Sequence, residues 1–363
     1  MTNNRTSLLY LTSFLLFLLF CIQSSIQTNT DEAKEIVFNL DINEYGVPSI
    51  QLSLGTPPRK HKFFISTLIS RLYIAESEDG YIPSLSSTFE NDEGGLIDLP
   101  DLGRDVTGKK VRDTLSFNNN YQMTKFPFVL LKKGDVNYYY KGSLGLEYQS
   151  VTDEDDDFSF INNLYRKNII NFFIFYIQHD KRDNTKKLIF GTAPINSFIT
   201  RKFKTCKLRK RDKIGNLNIS WQCFLNSVYF DDNSLYTVEQ PISFSIGGNI
   251  MCVNKQIYDV VKKKYFSQAI SSGTCWEKEE SNRNFINCQN DFSLNEDVYI
   301  ALVFGKWNIK LNINSLFLST SNKRLQIMEC ENTNHPWSLG YNILGISTLV
   351  FDKENGMLWL SNN

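Results

Sequence analysis

Phe63-Phe64-Ile65-Ser66-Thr67-Leu68-Ile69-Ser70-Arg71-Leu72-Tyr73-Ile74 is a short apolar strand that enters a small-residue turn and leaves as a second apolar segment. The same layout recurs in degenerate form at Ile242-Ser243-Phe244-Ser245-Ile246-Gly247-Gly248-Asn249-Ile250-Met251-Cys252. Each copy is followed later in the chain by an apolar-Leu-Gly step. The first step is Gly142-Ser143-Leu144-Gly145-Leu146 and the second Tyr341-Asn342-Ile343-Leu344-Gly345. A layout that occurs twice in one chain predicts two similar lobes, each organised round one turn.

Around these turns the pattern is that of strands. Tyr45 to Leu54 alternates apolar and polar residues and then breaks at Gly55-Thr56-Pro57-Pro58. Ile169 to Ile177 is a β-rich run, and Leu188-Ile189-Phe190-Gly191-Thr192 closes a hairpin. Glu35 to Leu40 reads as a strand between the lobes, while Phe126 to Leu131 is a short strand whose proline suits a start or an edge. Helical spacing appears only at Phe158 to Arg166 and Lys255 to Val261. Residues 76–105 are polar and without period.

Composition narrows the function classes. The chain has 363 residues, with 39 basic and 39 acidic side chains. That balance gives no general draw toward nucleic acid or an anionic membrane. Residues 1–27 read as a signal peptide: Arg5, then the apolar stretch Leu8 to Ile22, then a polar segment. The apolar part is short of the ~20 residues that span a bilayer. No second apolar stretch follows, so the chain is expected to be free of the membrane after signal removal and to enter the secretory or lysosomal pathway. Removal of Cys21 leaves six of the seven cysteines, all in the second half of the chain. In a secretory chain an even number favours disulfides over metal ligands. Cys206 and Cys223 suit a cross-strand pair around the Arg211-Asp212-Lys213-Ile214-Gly215 turn, and Asn218-Ile219-Ser220 is a glycosylation acceptor.

The arrangement resembles the pepsin-like aspartic proteases, in which each of two lobes brings one Asp-Thr-Gly loop to a shared cleft. The resemblance covers about residues 45–361. It rests on the opening strand with its Gly55-Thr56-Pro57 turn, on Trp221-Gln222 before the second loop, and on the closing Leu349-Val350-Phe351-Asp352 hairpin. It implies an all-β, bilobal fold with pseudo-symmetric lobes at 28–200 and 201–363 and a central cleft. It also implies a disulfide between Cys288 and Cys330. Both loops carry Ser, at 66 and 245, where the family carries Asp. Leu68 stands for the first glycine, and Ile246 for the second threonine.

Two facing carboxylates that share a proton are the family's acid and base; a serine hydroxyl does not titrate near neutrality. No catalytic residue is therefore expected. The expected function is that of a secreted, monomeric, inactive homologue that holds a peptide or protein in its cleft without cofactor or metal. Ser66, Thr67, Ser245 and Gly247 are the expected floor, with Tyr73 and Asp101 beside it. Asp101 is where counting back from Thr107-Gly108 places the flap tyrosine. Two alternatives stay open: an endopeptidase that draws its carboxylates from the Asp98 to Asp101 region, and an extracellular interaction protein that works through loop 76–105. His61, five residues before Ser66 and so on the opposite strand face, His179 and His335 are read as loop or surface side chains.

Overall fold

The structure is a computed structural model that describes residues 34–43, 46–78, 80–98, 106–118, 121–131, 141–148, 157–180, 185–193, 203–208, 221–231, 234–248, 250–280, 283–295, 297–319, 322–330, 337–340 and 347–362. The first half of the chain builds an eight-stranded sheet. Its order is Asp41–Ile42, Pro48–Leu54, Arg59–Ser66, Gly142–Gly145, Leu72–Ala75, Tyr121–Leu131, Thr107–Phe117 and Glu90–Asp98. Alternation decides which face goes inward: Ile50, Leu52 and Leu54 are buried on one strand, and Phe63 and Ile65 on the next. The turn between those two strands needs Gly55, which holds φ at 87° and whose Cβ would lie 2.9 Å from Ser86 Oγ.

The second half repeats the central part of this topology. Arg59–Ser66 runs parallel to Gly142–Gly145, pairing Phe64 with Ser143, Ile65 with Leu144 and Ser66 with Gly145. Gly142–Gly145 is in turn antiparallel to Leu72–Ala75, which lies parallel to Tyr121–Leu131. In the seven-stranded sheet, Leu235–Phe244 runs parallel to Trp337–Leu339, with Ile242 on Trp337, Ser243 on Ser338 and Phe244 on Leu339. That strand is antiparallel to Met251–Val253, which lies parallel to Ile327–Glu329. The two halves therefore share one motif, in the same order and with the same directions.

This pairing corrects one expectation. The second Leu-Gly step is Trp337-Ser338-Leu339-Gly340, its glycine five residues before Gly345; residues 341–346 lie outside the described residues. Ser338-Leu339 repeats Ser143-Leu144 in its pairing, a serine one position before the leucine that faces the loop strand. Local hydrophobicity favours Ile343-Leu344-Gly345; the register against Phe244 overrides it.

A six-stranded sheet joins the halves in the order Ile36–Asn39, Thr185–Phe190, Ile174–Asp180, Ser347–Asp352, Met357–Asn362 and Lys204–Lys207. The first strand is the one expected at Glu35 to Leu40. A chain of aromatic contacts backs it: Phe38 on Phe190 at 6.0 Å, Phe175 stacked on Phe351 at 4.5 Å, and Trp221 edge-on to Phe351 at 4.9 Å. Trp221 also donates its Nε1–H to Leu146 O at 2.8 Å, tying the start of the second half to the segment after the first Leu-Gly step. A four-stranded sheet of Cys275–Glu280, Arg283–Cys288, Lys323–Leu325 and Phe317–Ser319 completes the second half.

Helices are few. Phe160–Arg166 forms as its spacing predicts, and Lys255–Val261 is capped by Asn254, whose side chain accepts from Ile257 N. Among the described residues no helix is long and apolar enough to cross a membrane. Two strand expectations need adjustment. Residues 76–105 contain the Glu90–Asp98 strand, which pairs with Thr107–Phe117. Pro127 sits inside the Tyr121–Leu131 strand rather than at its start. Within that strand only Val129 to Leu131 pair with Leu72–Ala75, so Pro127 has a paired neighbour on one side, in Thr107–Phe117, and no ladder bond is lost on the other.

The disulfides are Cys206–Cys223, Cys252–Cys330 and Cys275–Cys288. The Cys288–Cys330 pairing implied by the resemblance is therefore not formed. Cys288 lies directly opposite Cys275 in an antiparallel hairpin, with Cα atoms 4.0 Å apart. Cys330 follows the strand parallel to Met251–Val253 and comes within 5.6 Å of Cys252, again measured between Cα atoms. Cys206 and Cys223 are joined, but across two different sheets rather than within one hairpin.

Candidate functional site

Ser66 ends its strand and Ser245 directly follows the Leu235–Phe244 strand, so the repeated motif delivers both serines to matching places. Position by position, Ile65 matches Phe244, Ser66 matches Ser245, Thr67 matches Ile246 and Leu68 matches Gly247. The strand that crosses behind the first turn passes very close: a Cβ on Gly145 would lie 2.5 Å from both Arg71 N and Arg71 O. Backbone contact of this kind admits only glycine and fixes the loop from behind. Leu146 N donates to Ser66 O at 2.7 Å, and Ser245 N donates to Leu339 O at 2.8 Å.

The two turns touch each other. Thr67 Oγ1 donates to Phe244 O at 2.8 Å and accepts from Ile246 N at 3.0 Å. One buried hydroxyl thus spans the two halves of the chain and satisfies a carbonyl and an amide of the opposite turn. Ile246, at the matching place, is buried among apolar side chains and has no hydroxyl to return the contact. The grip is one-sided. Gly247 closes the other contact: a Cβ there would lie 3.1 Å from Ser66 Oγ and 3.1 Å from Ile65 O.

The serines differ in their surroundings. Ser66 is half-buried, and its Oγ accepts from Leu68 N at 3.2 Å. Ser245 is only 9% exposed. Leu68 is 43% exposed, a large apolar side chain left open beside Ser66.

Thr67 and Tyr73 do not line a surface. Thr67 is fully enclosed because it is spent on the opposite turn. Tyr73 is 0% exposed and packs with Ile69, Val129, Leu131 and Phe158. Its strand is covered on both faces, so the residue that alternation turns away from the main core meets a second core. Asp101, Asn218 and His335 lie outside the described residues.

Other ionisable groups are committed elsewhere. Asp113, fully buried, accepts from the Tyr81 hydroxyl, from Thr88 Oγ1 at 2.5 Å and from Thr114 N at 2.7 Å. Burial, with the Asp113 carboxylate beside it, pushes the Tyr81 phenol up. Asp352 accepts from Asn355 N, Asn355 Nδ2 and Trp359 Nε1. These carboxylates answer donors, not one another. His61 packs edge-on to Tyr81 at 5.9 Å, and burial with the Arg59 charge lowers its pKa below 6.5. Among the described residues no group of three His, Cys, Asp or Glu side chains could hold a metal ion.

Sequence reasoning found the two serines and missed the contacts that join them. The signal was present: at the matching places of the two turns stand Thr67 and Ile246, so only the first turn carries a hydroxyl there.

Comparison with known proteins agrees with this geometry. The family model described as eukaryotic aspartyl protease matches residues 44–362. No curated protein matches the chain.

Proposed function

The chain belongs to the eukaryotic aspartyl protease family, and on that premise we propose that it is a catalytically inactive member that holds an extended peptide or protein segment between its halves. The observation that supports this reading is that the two turns meet through Thr67 and Gly247, while the matched residues of the two turns are Ser66 and Ser245 and not carboxylates. Acid–base chemistry on an amide needs one group to take a proton from water and another to give one to the carbonyl. A hydroxyl supports hydrogen bonding but not that exchange near neutrality. Loss of each positioned acid or base removes about 10²–10⁴-fold of rate, so loss of both leaves essentially no turnover.

The three disulfides suit an oxidising compartment. With the signal-like residues 1–27, they support a secreted or secretory-pathway protein; the proposed ligand site has Ser66, Ser245 and Gly247 at its floor, and the protein is proposed to act as a monomer.

The test uses the purified mature chain, a diverse set of extended peptides, and pH scanned from acid to neutral. Saturable binding without cleavage is expected. Cleavage blocked by pepstatin would overturn the inactive assignment, and no saturable binding to any peptide would overturn the ligand site.

A further inference from the structure

We propose that His61 is a proton-sensing latch: in acid, protonation of its enclosed ring nitrogen draws Tyr81 off Asp113 and loosens the Thr107–Phe117 strand at the bulge that Asp113 holds.

The latch is built where several segments meet. His61 alternates with Phe63 and Ile65, on the core face of the strand that ends at Ser66. Its ring packs edge-on to Tyr81, with 5.9 Å between centroids, and its Nε2 is enclosed without a hydrogen-bond partner. Tyr81 is buried, held further by Phe128 at 5.4 Å and Phe89 at 6.1 Å, and its hydroxyl donates to Asp113. Asp113 also accepts from Thr88 Oγ1 and Thr114 N, and a Cβ on Gly55 would lie 3.3 Å from its Oδ2.

Asp113 stands at a weak point of the sheet. The pairing of Thr107–Phe117 with Tyr121–Leu131 shifts register between Asp113 and Leu115. Thr114 is fixed there by other bonds: its N–H goes to Asp113 Oδ1, and its carbonyl accepts from Gly55 N at 2.9 Å. On its other edge the strand carries Glu90–Asp98.

A neutral imidazole needs a proton on one nitrogen only, whereas an imidazolium carries N–H on both. A proton on the enclosed Nε2 has no acceptor in the neutral arrangement. The surrounding charges give it no help. Arg59, on the same strand, is positive, while Lys60 and Lys62 alternate onto the opposite face. The paired strand Pro48–Leu54 and the segment from Pro83 to Phe89 have no ionisable side chain. Glu76 and Glu78, in the segment that brings Tyr81, are exposed. Beside Asp113, Arg112 pairs with Asp92 at 3.8 Å, and Lys125 in the next strand pairs with Glu90 at 2.9 Å. The acceptor at hand is the Tyr81 oxygen, which offers a lone pair once the phenol turns from Asp113. The buried carboxylate then loses one of its three donors, and the bonds that pin Thr114 weaken with it.

Hydrogen exchange reads the latch. The full mature chain is followed from neutral to acid pH, with rates corrected for the intrinsic pH dependence of exchange. His61→Phe keeps a ring against Tyr81 and removes the charge; His179→Phe, in the strand Ile174–Asp180, is the histidine control. In the natural chain and the control, exchange at the Gly55 and Thr114 amides is expected to rise by up to about tenfold per pH unit below 6.5. That is the slope of one proton, and it should level off below the folded pKa of His61. His61→Phe should lose the rise. Tyr81→Phe, which removes only the hydroxyl, should exchange both amides at neutral pH as fast as the natural chain does in acid. An acid response that persists in His61→Phe, or its absence from the natural chain, would overturn the proposal; so would unchanged neutral exchange in Tyr81→Phe. Where a variant fails to fold, NMR of the natural chain with labelled histidine and tyrosine decides. The Tyr81 ring signals should move with the midpoint of His61, and a Tyr81 ring that ignores that midpoint would break the coupling.

Discussion

Replacing Thr67 by valine removes one oxygen and keeps the shape of the side chain. In the structure that oxygen serves Phe244 O at 2.8 Å and Ile246 N at 3.0 Å, both across the junction of the two turns and both buried. Valine offers neither group a partner, and no water can reach them without moving the turns apart. A buried polar group left unsatisfied costs about 1–3 kcal/mol, so two such groups cost about 2–6 kcal/mol. That is a large share of the roughly 5–15 kcal/mol by which a domain is stable. Urea unfolding at neutral pH reads the loss as a lower midpoint at unchanged slope, since the surface exposed on unfolding is the same. Thr67→Ser keeps the hydroxyl and should recover most of the loss. Hydrogen exchange supplies an independent readout: the Ile246 amide should exchange faster in Thr67→Val because its acceptor is gone. A Thr67→Val chain within about 0.5 kcal/mol of the natural one, a shift ordinary for neutral surface changes, would show that Thr67 does not join the turns as described.

The disulfides make a second case, because the loop each one closes differs in length. Cys252–Cys330 has a sequence separation of 78 and Cys275–Cys288 one of 13. Chain entropy values these at about 4.5 and about 3 kcal/mol, so the Cys252→Ser, Cys330→Ser double variant should unfold at lower urea than Cys275→Ser, Cys288→Ser; the reverse order would mean that native packing, not loop entropy, dominates. His61 supplies a pH prediction. Its folded pKa lies below 6.5 because of burial first and Arg59 second. The unfolded chain then binds the proton more readily between the folded value and 6.5, so stability should fall as pH drops below 6.5 and level off below the folded value. His61→Phe, which keeps the ring against Tyr81, should flatten that part of a stability-versus-pH curve; an unchanged slope would assign it to other groups.

The repeated turns, the alternation that becomes the Pro48–Leu54 strand and the helical spacing that becomes Phe160–Arg166 and Lys255–Val261 were all legible in the sequence. Each depends on neighbours within a few residues along the chain, which is the range over which periodicity and capping act. The serines at 66 and 245 were visible because the resemblance puts an aspartate at each of those places in the two matching turns.

What lay beyond that reach was pairing across distance. The strand beside Phe244 is Trp337–Leu339 and not the more apolar segment that follows, and Cys330 meets Cys252 rather than Cys288. Tyr73 turns into a second core instead of toward the two serine turns. Thr67 became an inter-turn tie rather than a lining residue.

By itself the sequence determined that this chain carries one motif twice and that neither copy brings a carboxylate to its turn. Tertiary structure decided which strands lie side by side, and through them which cysteines join and which hydroxyl bridges the turns. The physical reason is register: sliding one strand by a residue exchanges its two faces while leaving the local pattern unchanged, so only packing against the rest of the chain selects among alternatives that look equally good in sequence.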